Sequence, residues 1–308
     1  MRRYPTTITG LFRNTLIMFV LIRNEVVLKK HIYRFLYHTT YGKTKEYFKK
    51  LYYYYRNRDN GCDENKIKYS GNGNKVILYK PDGTIEENPD FILGLSILFC
   101  GNNSVVKIHQ PNHFTNCILR IGTHNLVEIG ATNMGFTNLQ IPVTMRENCQ
   151  LLIGKNCVIN GCNIYLHDEP GTIVKIGDDC MFSFGITIWP ADGHAIEDEK
   201  GNLVNFAENI TIGDHVWLGM DCKILKGANV PSGAIVAAAS IYTKGSLPPH
   251  THTRSYTGKI DNDKNYIFAG VPARVVKEGY FKWHIQNCYD LSKAREKHRQ
   301  KNVDKTQV

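Results

Sequence analysis

Residues 212–242 read I-G-D-H-V-W-L-G-M-D-C-K-I-L-K-G-A-N-V-P-S-G-A-I-V-A-A-A-S-I-Y, and a period of six residues runs through them. One register is apolar or aromatic at six consecutive positions: Ile212, Leu218, Ile224, Val230, Val236 and Tyr242. A second register, four residues after each of the first five, is small or β-branched: Val216, Cys222, Ala228, Ala234 and Ser240. One core-facing residue in every six indicates a short strand and a turn on each face of a narrow three-sided prism. The stretch therefore predicts a mainly β fold, a solenoid of stacked coils.

The same two registers recur upstream, in Ile176, Phe182 and Ile188 and again in Ile153, Ile159 and Tyr165. We therefore predict a solenoid over residues 101–245. Residues 61–100 are expected to form a linker and short strands, and residues 246–308 a loop, a G-V-P-A-R turn and a C-terminal helix. Three cysteines fall on the small-residue positions of the repeat, where a structural role is expected: Cys157, Cys180 and Cys222.

The positive charge of the chain is confined to its beginning. The 308 residues hold 38 Lys+Arg and 28 Asp+Glu, but residues 1–60 alone hold 13 of the former and 3 of the latter, which leaves 25 of each for the rest. This argues against a nucleic-acid groove across the body of the protein. Residues 1–60 have the periodicity of basic, aromatic-rich amphipathic helices, so residues 1–56 are expected to contact an anionic membrane surface or to pack on the main domain or a partner subunit.

No apolar run approaches the roughly 20 residues of a membrane-spanning helix, since the longest, residues 16–22, lies between two arginines. We expect a cytoplasmic protein, peripheral at most on the inner face of the cytoplasmic membrane.

A polar excursion, residues 189–211, interrupts the repeat between Ile188 and Ile212, and the period resumes in phase after it. A loop extruded from a rigid prism is a natural place for a functional group. It carries Asp192 and His194 directly behind the last strand, and histidine can act as a base near neutral pH.

At this point the sequence resembles the hexapeptide-repeat, left-handed parallel β-helix acyltransferases, and among them the polysaccharide and polysialic acid O-acetyltransferases of bacterial capsule biosynthesis. The resemblance rests on M-F-S-F-G-I-T-I-W-P-A-D-G-H (181–194), I-G-D-H-V-W-L-G (212–219), the run 222–244 and A-G-V-P-A-R-V-V (269–276). It covers nearly half of the chain. It implies a left-handed coil, acetyl-CoA as co-substrate, no required metal, a polysaccharide or oligosaccharide acceptor and a homotrimer with active sites between subunits.

The resemblance also implies roles for single residues. His194 corresponds to the general base that removes a proton from a sugar hydroxyl. Asp192 either orients the imidazole, binds the sugar or simply forms the turn before Gly193. Trp217 matches the tryptophan near the bound thioester and acceptor, and the alternative is a solvent-side aromatic beside a core residue.

For coenzyme A, the resemblance implies that the pantetheine arm lies near small residues and that two cations contact the phosphates. The implied cofactor-binding residues are Trp217, Gly219, Ala237, Ala238, Lys244 and Arg274. Both cations could equally be solvated surface residues. The family often has glycine where this chain has Ala239, and the connection 245–268, with His250 and His252, is longer than usual.

Three other functions are compatible with the sequence. A zinc enzyme of the gamma-class carbonic anhydrase kind would need converging histidines, but His167, His194 and His215 lie in unrelated local motifs. An N-acetyltransferase of an amino-sugar nucleotide would use an amine in place of the hydroxyl. A non-catalytic trimeric scaffold would need neither His194 nor Trp217.

Overall fold

The computed structural model describes residues 66–246 and 265–285, together with Leu36, 290, 292, 293, 295 and 296. Leu36 and the five isolated C-terminal positions are helical. The remainder of the predicted N-terminal extension, the loop with His250 and His252 and most of the predicted C-terminal helix lie outside the described residues. Within the described part, no helix is long and apolar enough to span a membrane.

Three eight-stranded sheets, here A, B and C, form the body of the protein. Sheet A contains β1 (Ile67–Tyr69), β4 (Leu95–Phe99), β7 (Cys117–Ile121), β10 (Leu139–Gln140), β13 (Cys162–Ile164), β16 (Ile186–Trp189), β19 (Lys223–Leu225) and β22 (Ile241–Tyr242). Sheet B contains β3 (Ile85–Glu87), β2 (Lys75–Tyr79), β5 (Val105–His109), β8 (Leu126–Ile129), β11 (Gln150–Ile153), β14 (Ile173–Ile176), β17 (Ile210–Ile212) and β20 (Asn229–Val230). Sheet C contains β6 (Phe114–Thr115), β9 (Gly135–Thr137), β12 (Val158–Ile159), β15 (Met181–Phe182), β18 (Trp217–Leu218), β21 (Ile235–Val236), β23 (Asn265–Gly270) and β24 (Ala273–Gly279).

From β4 to β22, neighbouring strands within a sheet are three apart in the sequence and pair in parallel, as in β13, β16 and β19. Each coil therefore contributes one strand to each face, which is the arrangement of a three-sided solenoid and fits the predicted β-helix. Two pairs are antiparallel, β2 with β3 and β23 with β24. The left-handed sense of the coil stays a prediction.

Both registers of the sequence repeat lie in the core. All six residues of the apolar register and all five of the small register are buried. The cysteines of the small register are buried too, and each thiol reaches a carbonyl of the next coil, as Cys180 Sγ does with Gly213 O at 3.2 Å. Burial raises the pKa of the thiols of Cys180 and Cys222, so both are neutral core groups.

The coils at the corner between sheets B and C are also joined by side chains. The backbone N–H of Lys155 donates to Asp178 Oδ1, and that of Asp178 donates to Asp214 Oδ1, both at 2.9 Å. The next coil substitutes a serine, since the Asp214 N–H donates to Ser232 Oγ. These contacts give the I-G-D motif of the repeat a structural role.

The solenoid is longer at both ends than the predicted range 101–245. Strands β1, β2 and β4 already pair in parallel with their successors, so the short strands predicted for residues 61–100 are present but belong to the stacked coils. At the other end, β23 pairs in parallel with β21, and the G-V-P-A-R turn joins β23 to β24 in sheet C. The core residues of these coils are irregularly spaced in the sequence, so the six-residue period does not reveal them.

Candidate active site

The polar excursion is a closed hairpin that leaves the prism at the corner between sheets A and B. Trp189 still pairs with Leu225, and Ile210 already pairs with Val174, so the excursion itself spans 190–209. Its two legs meet through a bridge between Glu197 and Leu203. The Asp198 carboxylate closes the tip by accepting the backbone N–H groups of residues 200 and 202.

His194 lies on the first leg and is exposed. Its carbonyl accepts a hydrogen bond from Asn205 Nδ2 at 2.8 Å. Among the described residues, no hydrogen bond or ion pair occupies its imidazole. The backbone of this residue is therefore fixed, while its ring stays accessible to a substrate.

The side chain of Asp192 contacts a residue beside strand β19 and the second leg of the hairpin, and not the His194 ring. Its Oδ2 accepts hydrogen bonds from Lys226 Nζ, just beyond β19, and from Asn205 Nδ2 at 3.1 Å. The hydrogen bond from Lys226 holds the pKa of this carboxyl below its usual value. Of the roles predicted for Asp192, the orientation of the imidazole has no contact to support it.

Asn205 and Lys226 are the two functional candidates that the sequence reading missed. Besides its two donated bonds, Asn205 accepts the Ile196 N–H through Oδ1 at 2.7 Å, so one side chain contacts three points of the opposite leg. Lys226 also donates to the carbonyl of Asn205 at 3.3 Å. An asparagine in a polar loop and a lysine after a strand carry no local signal, because their partners are distant in sequence.

The Asp-Gly-His segment rests on an aromatic floor. A Cβ placed on Gly193 would lie 3.3 Å from Trp189 Cζ2, and this glycine has φ = +81°. Glycine is therefore favoured by the left-handed backbone and by the close approach of the Trp189 ring. Trp189 Nε1 donates to Asp168 Oδ2 at 2.6 Å, which fixes the plane of the indole.

Trp217 lies on the outer surface of sheet C, beside the C-terminal segment. Trp283 is buried, and its ring lies 6.2 Å from that of Trp217 and stacks on His215 at 4.0 Å. Trp283 Nε1 donates to the His215 carbonyl at 2.8 Å. Burial lowers the pKa of His215, which keeps its imidazole neutral. Residues 281–285, here the strap, thus cover one side of the Trp217 surface.

Of the small residues predicted to face coenzyme A, Gly219 lies on the same coil as Trp217, and Ala237 and Ala238 lie on the next coil. A Cβ on Gly219 would approach Ala238 N to 2.6 Å, so this glycine serves the stacking of the coils. Ala238 is exposed, Ala237 is partly exposed, and Ala239 has φ = +58°. Glycine adopts this conformation more readily than alanine, which fits the glycine that the family resemblance implies at this position.

The two predicted phosphate contacts are exposed cations. Lys244 Nζ pairs with Glu208 Oε2 at 2.5 Å and so ties the returning leg of the hairpin to the last coil. Arg274 lies on β24, and its guanidinium donates to the neighbouring carbonyl of Ala273 at 3.0 Å. Neither is buried, so both remain accessible to an anion.

His194 and Trp217 are on opposite sides of the prism. The hairpin occupies the corner between sheets A and B, and the face opposite that corner is sheet C, where Trp217 lies. His167 lies on the sheet A side and His215 at the corner between sheets B and C, so the three histidines considered for zinc do not converge in one chain. No group of three or more His, Cys, Asp or Glu among the described residues has metal-site geometry.

A stretch of 128 residues is 31% identical to the polysialic acid O-acetyltransferase of Neisseria meningitidis, covering 41% of this chain and 58% of that protein. Over 140 residues the chain is 30% identical to the galactoside O-acetyltransferase of Escherichia coli K12, covering 44% and 58% of the two. The chain thus spans less than two thirds of these relatives. No protein-family model matches the sequence.

Two crystal structures share the fold. The polysialic-acid-specific acetyltransferase NeuO aligns with a TM-score of 0.50 and 20% identity, over 76% of this chain and 97% of that one. The polysialic acid O-acetyltransferase OatWY aligns with a TM-score of 0.51 and 21% identity, over 73% and 95%. The sequence relatives confirm the predicted resemblance to polysaccharide and polysialic acid O-acetyltransferases, and the two solved structures show that the fold is shared.

Proposed function

We propose that this chain is an acetyl-CoA-dependent O-acetyltransferase that modifies hydroxyl groups of a bacterial capsular or other surface polysaccharide, with His194 as the general base. The observation that carries the proposal is the hairpin 190–209, braced at several points and presenting an exposed imidazole. The names of the sequence relatives support the reaction type.

In the proposed step, His194 removes the proton of an acceptor hydroxyl as that oxygen attacks the thioester carbonyl carbon of acetyl-CoA. The carbon–sulfur bond then breaks, the acetyl group remains on the acceptor oxygen as an ester, and the imidazolium returns its proton to the CoA thiolate. An imidazole that makes no hydrogen bond or ion pair with the described residues is suited to both transfers.

Coenzyme A is proposed to lie along the outer surface of sheet C, near Trp217, Gly219, Ala237 and Ala238. The small side chains of Ala237 and Ala238, which are at least partly exposed, leave room for a thin pantetheine arm, and the exposed cations Lys244 and Arg274 suit its phosphates. Since sheet C faces away from His194 in one chain, the site would form between two copies. We therefore propose a homotrimer in which the hairpin of one subunit meets sheet C of the next.

The test is release of CoA thiol from acetyl-CoA with purified capsular polysaccharides, followed by NMR of the product. The panel includes amino-sugar nucleotides, so that transfer to nitrogen would reveal an N-acetyltransferase. We expect an O-acetyl ester, and His194→Ala should lower turnover by about 10² to 10⁴, the usual contribution of a positioned base. Near-normal turnover in that variant would exclude His194 as the base, and no thiol release with any acceptor would favour a scaffold.

We also propose a cytoplasmic location, with residues 1–56 holding the enzyme near the inner face of the membrane. The excess of basic residues in this segment supports contact with anionic lipid. Deletion of residues 1–56 should preserve soluble activity and reduce sedimentation with anionic liposomes. Unchanged liposome binding would reject the anchor.

A further inference from the structure

Three aromatic side chains form a patch on the outer surface of sheet A, beside the hairpin. The rings of Tyr165 and Trp189 lie 5.3 Å apart, and His167 lies 5.8 Å from Tyr165 and 6.3 Å from Trp189. All three are partly exposed. We name Tyr165, His167 and Trp189 the aromatic shelf.

The shelf is not part of the core. Side chains alternate along these strands, so Ile164, Leu166 and Ile188 point inward and are buried while the shelf residues point outward. Asp168 holds the Trp189 indole through its N–H, so this ring has a fixed orientation before any ligand arrives. Packing of the solenoid does not explain why these rings should face outward.

A row of uncharged hydrogen-bonding side chains runs beside the shelf. Gln140, Asn163 and Thr187 stand in register on β10, β13 and β16. Asn163 and Thr187 precede Tyr165 and Trp189 by two residues, a separation of about 6.6 Å along a strand. Flat aromatic rings beside amide and hydroxyl groups can contact both the C–H face and the hydroxyls of a sugar.

The shelf also touches the segment that carries the imidazole. Gly193, one residue before His194, lies against the six-membered ring of Trp189, since a Cβ at this position would be 3.3 Å from Trp189 Cζ2. A sugar ring on the shelf would therefore lie next to the Asp-Gly-His segment.

We propose that the aromatic shelf, with Asn163 and Thr187, is the subsite for a pyranose ring of the acceptor. The C–H face of the sugar stacks on Tyr165 and Trp189, and its hydroxyls bond to the polar row. This inference rests on the proposed function and deepens it, because it specifies an acceptor recognised through an uncharged ring face.

The first experiment replaces Tyr165, which contacts the shelf rings and not the hairpin. Tyr165→Ala and Tyr165→Leu should each raise KM for the acceptor about tenfold, the scale expected for loss of one stacking ring. KM for acetyl-CoA and acceptor-independent thiol release should stay unchanged. Tyr165→Phe, which keeps the ring, should behave nearly as wild type.

The matched control is Tyr69→Ala. Tyr69 is an exposed tyrosine on the same sheet that stacks on Phe99, at the far end of the solenoid from the hairpin. It should leave the acceptor KM unchanged. An equal effect of Tyr69→Ala and Tyr165→Ala, or an unchanged acceptor KM in Tyr165→Ala, would overturn the subsite while leaving the proposed function intact.

A binding measurement separates the subsite from the reaction. Galactose-containing oligosaccharides and oligosialic acid are titrated into wild type, Tyr165→Ala and Tyr69→Ala without acetyl-CoA, and tryptophan fluorescence is followed. Saccharide binding weakened about tenfold by Tyr165→Ala alone supports the subsite even if no transfer occurs. Binding unaffected by Tyr165→Ala, or no binding of any probe to wild type, overturns it.

Discussion

Asn205 is the residue that most directly fixes the backbone around His194. Its amide donates to the His194 carbonyl and to Asp192, and its carbonyl oxygen accepts the N–H of Ile196. Replacing Asn205 would remove these contacts from the first leg of the hairpin and leave the imidazole itself unchanged. Residues that hold a catalytic group in place act through geometry, and a displacement of about 1 Å can cost a hundredfold in rate.

We expect Asn205→Ala to lower kcat by about 10- to 100-fold in the thiol-release assay, with little change in thermal stability, because the loss is confined to an exposed loop. The matched control is Asn202→Ala at the tip of the same hairpin, where Asn202 bonds only Asp198 among the described residues. Equal loss of activity in both variants would show that the hairpin as a whole, rather than this contact, positions His194.

At the scale of elements, the hairpin depends on the strand from which it emerges. Gly193 lies against Trp189, and Trp189 is fixed by Asp168 on the preceding coil. A side chain at 193 would meet both a left-handed backbone and an indole ring. The two effects can be separated, because Gly201 has a similar φ of +78° but nothing within 4 Å of its Cβ position.

Gly193→Ala should reduce kcat at least tenfold, because the segment must lift from Trp189. Gly201→Ala carries only the backbone strain, about 1 kcal/mol, and should retain near-normal turnover. Steady-state kinetics of both variants, with circular dichroism to verify the fold, provide the measurement. Equal activities would mean that the contact with Trp189 does not position His194.

The strap, residues 281–285, is a second element near the proposed site, because its Trp283 lies beside both Trp217 and His215. Burial under Trp283 lowers the pKa of His215, so folding favours the neutral ring. The His215 imidazole of the unfolded chain, with a pKa near 6.5, therefore binds a proton more readily than that of the folded protein. The stabilisation of the fold by neutral His215 is present above this pH and declines as the pH falls below it.

We expect the melting temperature of wild type to fall more than that of His215→Asn between pH 7.5 and pH 5.5. Asparagine is the suitable replacement because residue 215 has φ = +56°, which asparagine tolerates. Thermal unfolding across this pH range tests the sign. Parallel decreases in the two proteins would contradict the assignment of this proton to His215.

At the scale of the whole molecule, the positions of His194 and Trp217 require a second copy if both serve one site. The corner that carries the hairpin is opposite the face that carries Trp217. Solenoids are rigid, so one chain cannot close this separation by bending. A heterologous contact between the corner of one copy and the face of the next generates a closed trimer when three such rotations return to the first copy.

Complementation tests this arrangement. His194→Ala and Trp217→Ala should each be nearly inactive, but each trimer that contains both variants should recover about one of its three sites, the one where an intact His194 of one copy meets an intact Trp217 of the next. Co-expression with two affinity tags and thiol release by the mixed trimers give the measurement. If each site used His194 and Trp217 of the same chain, mixing would restore nothing.

The sequence by itself determined the coil and the place of its interruption. Both registers of 212–242 are buried, because a residue that points inward in a periodic coil must be apolar or small at every turn. The in-phase spacing of Ile188 and Ile212 likewise indicates a loop inserted between two intact strands.

Only the tertiary structure decided which residues meet. Asp192 bonds Lys226 across 34 residues, and Trp283 stacks on His215 across 68, because these distances depend on how coils and strap lie against one another. The early coils, β1 to β4, have irregular spacing and become visible only through their pairing. The separation of His194 from Trp217 also depends on the tertiary structure, because each coil places successive segments of the chain on three different faces.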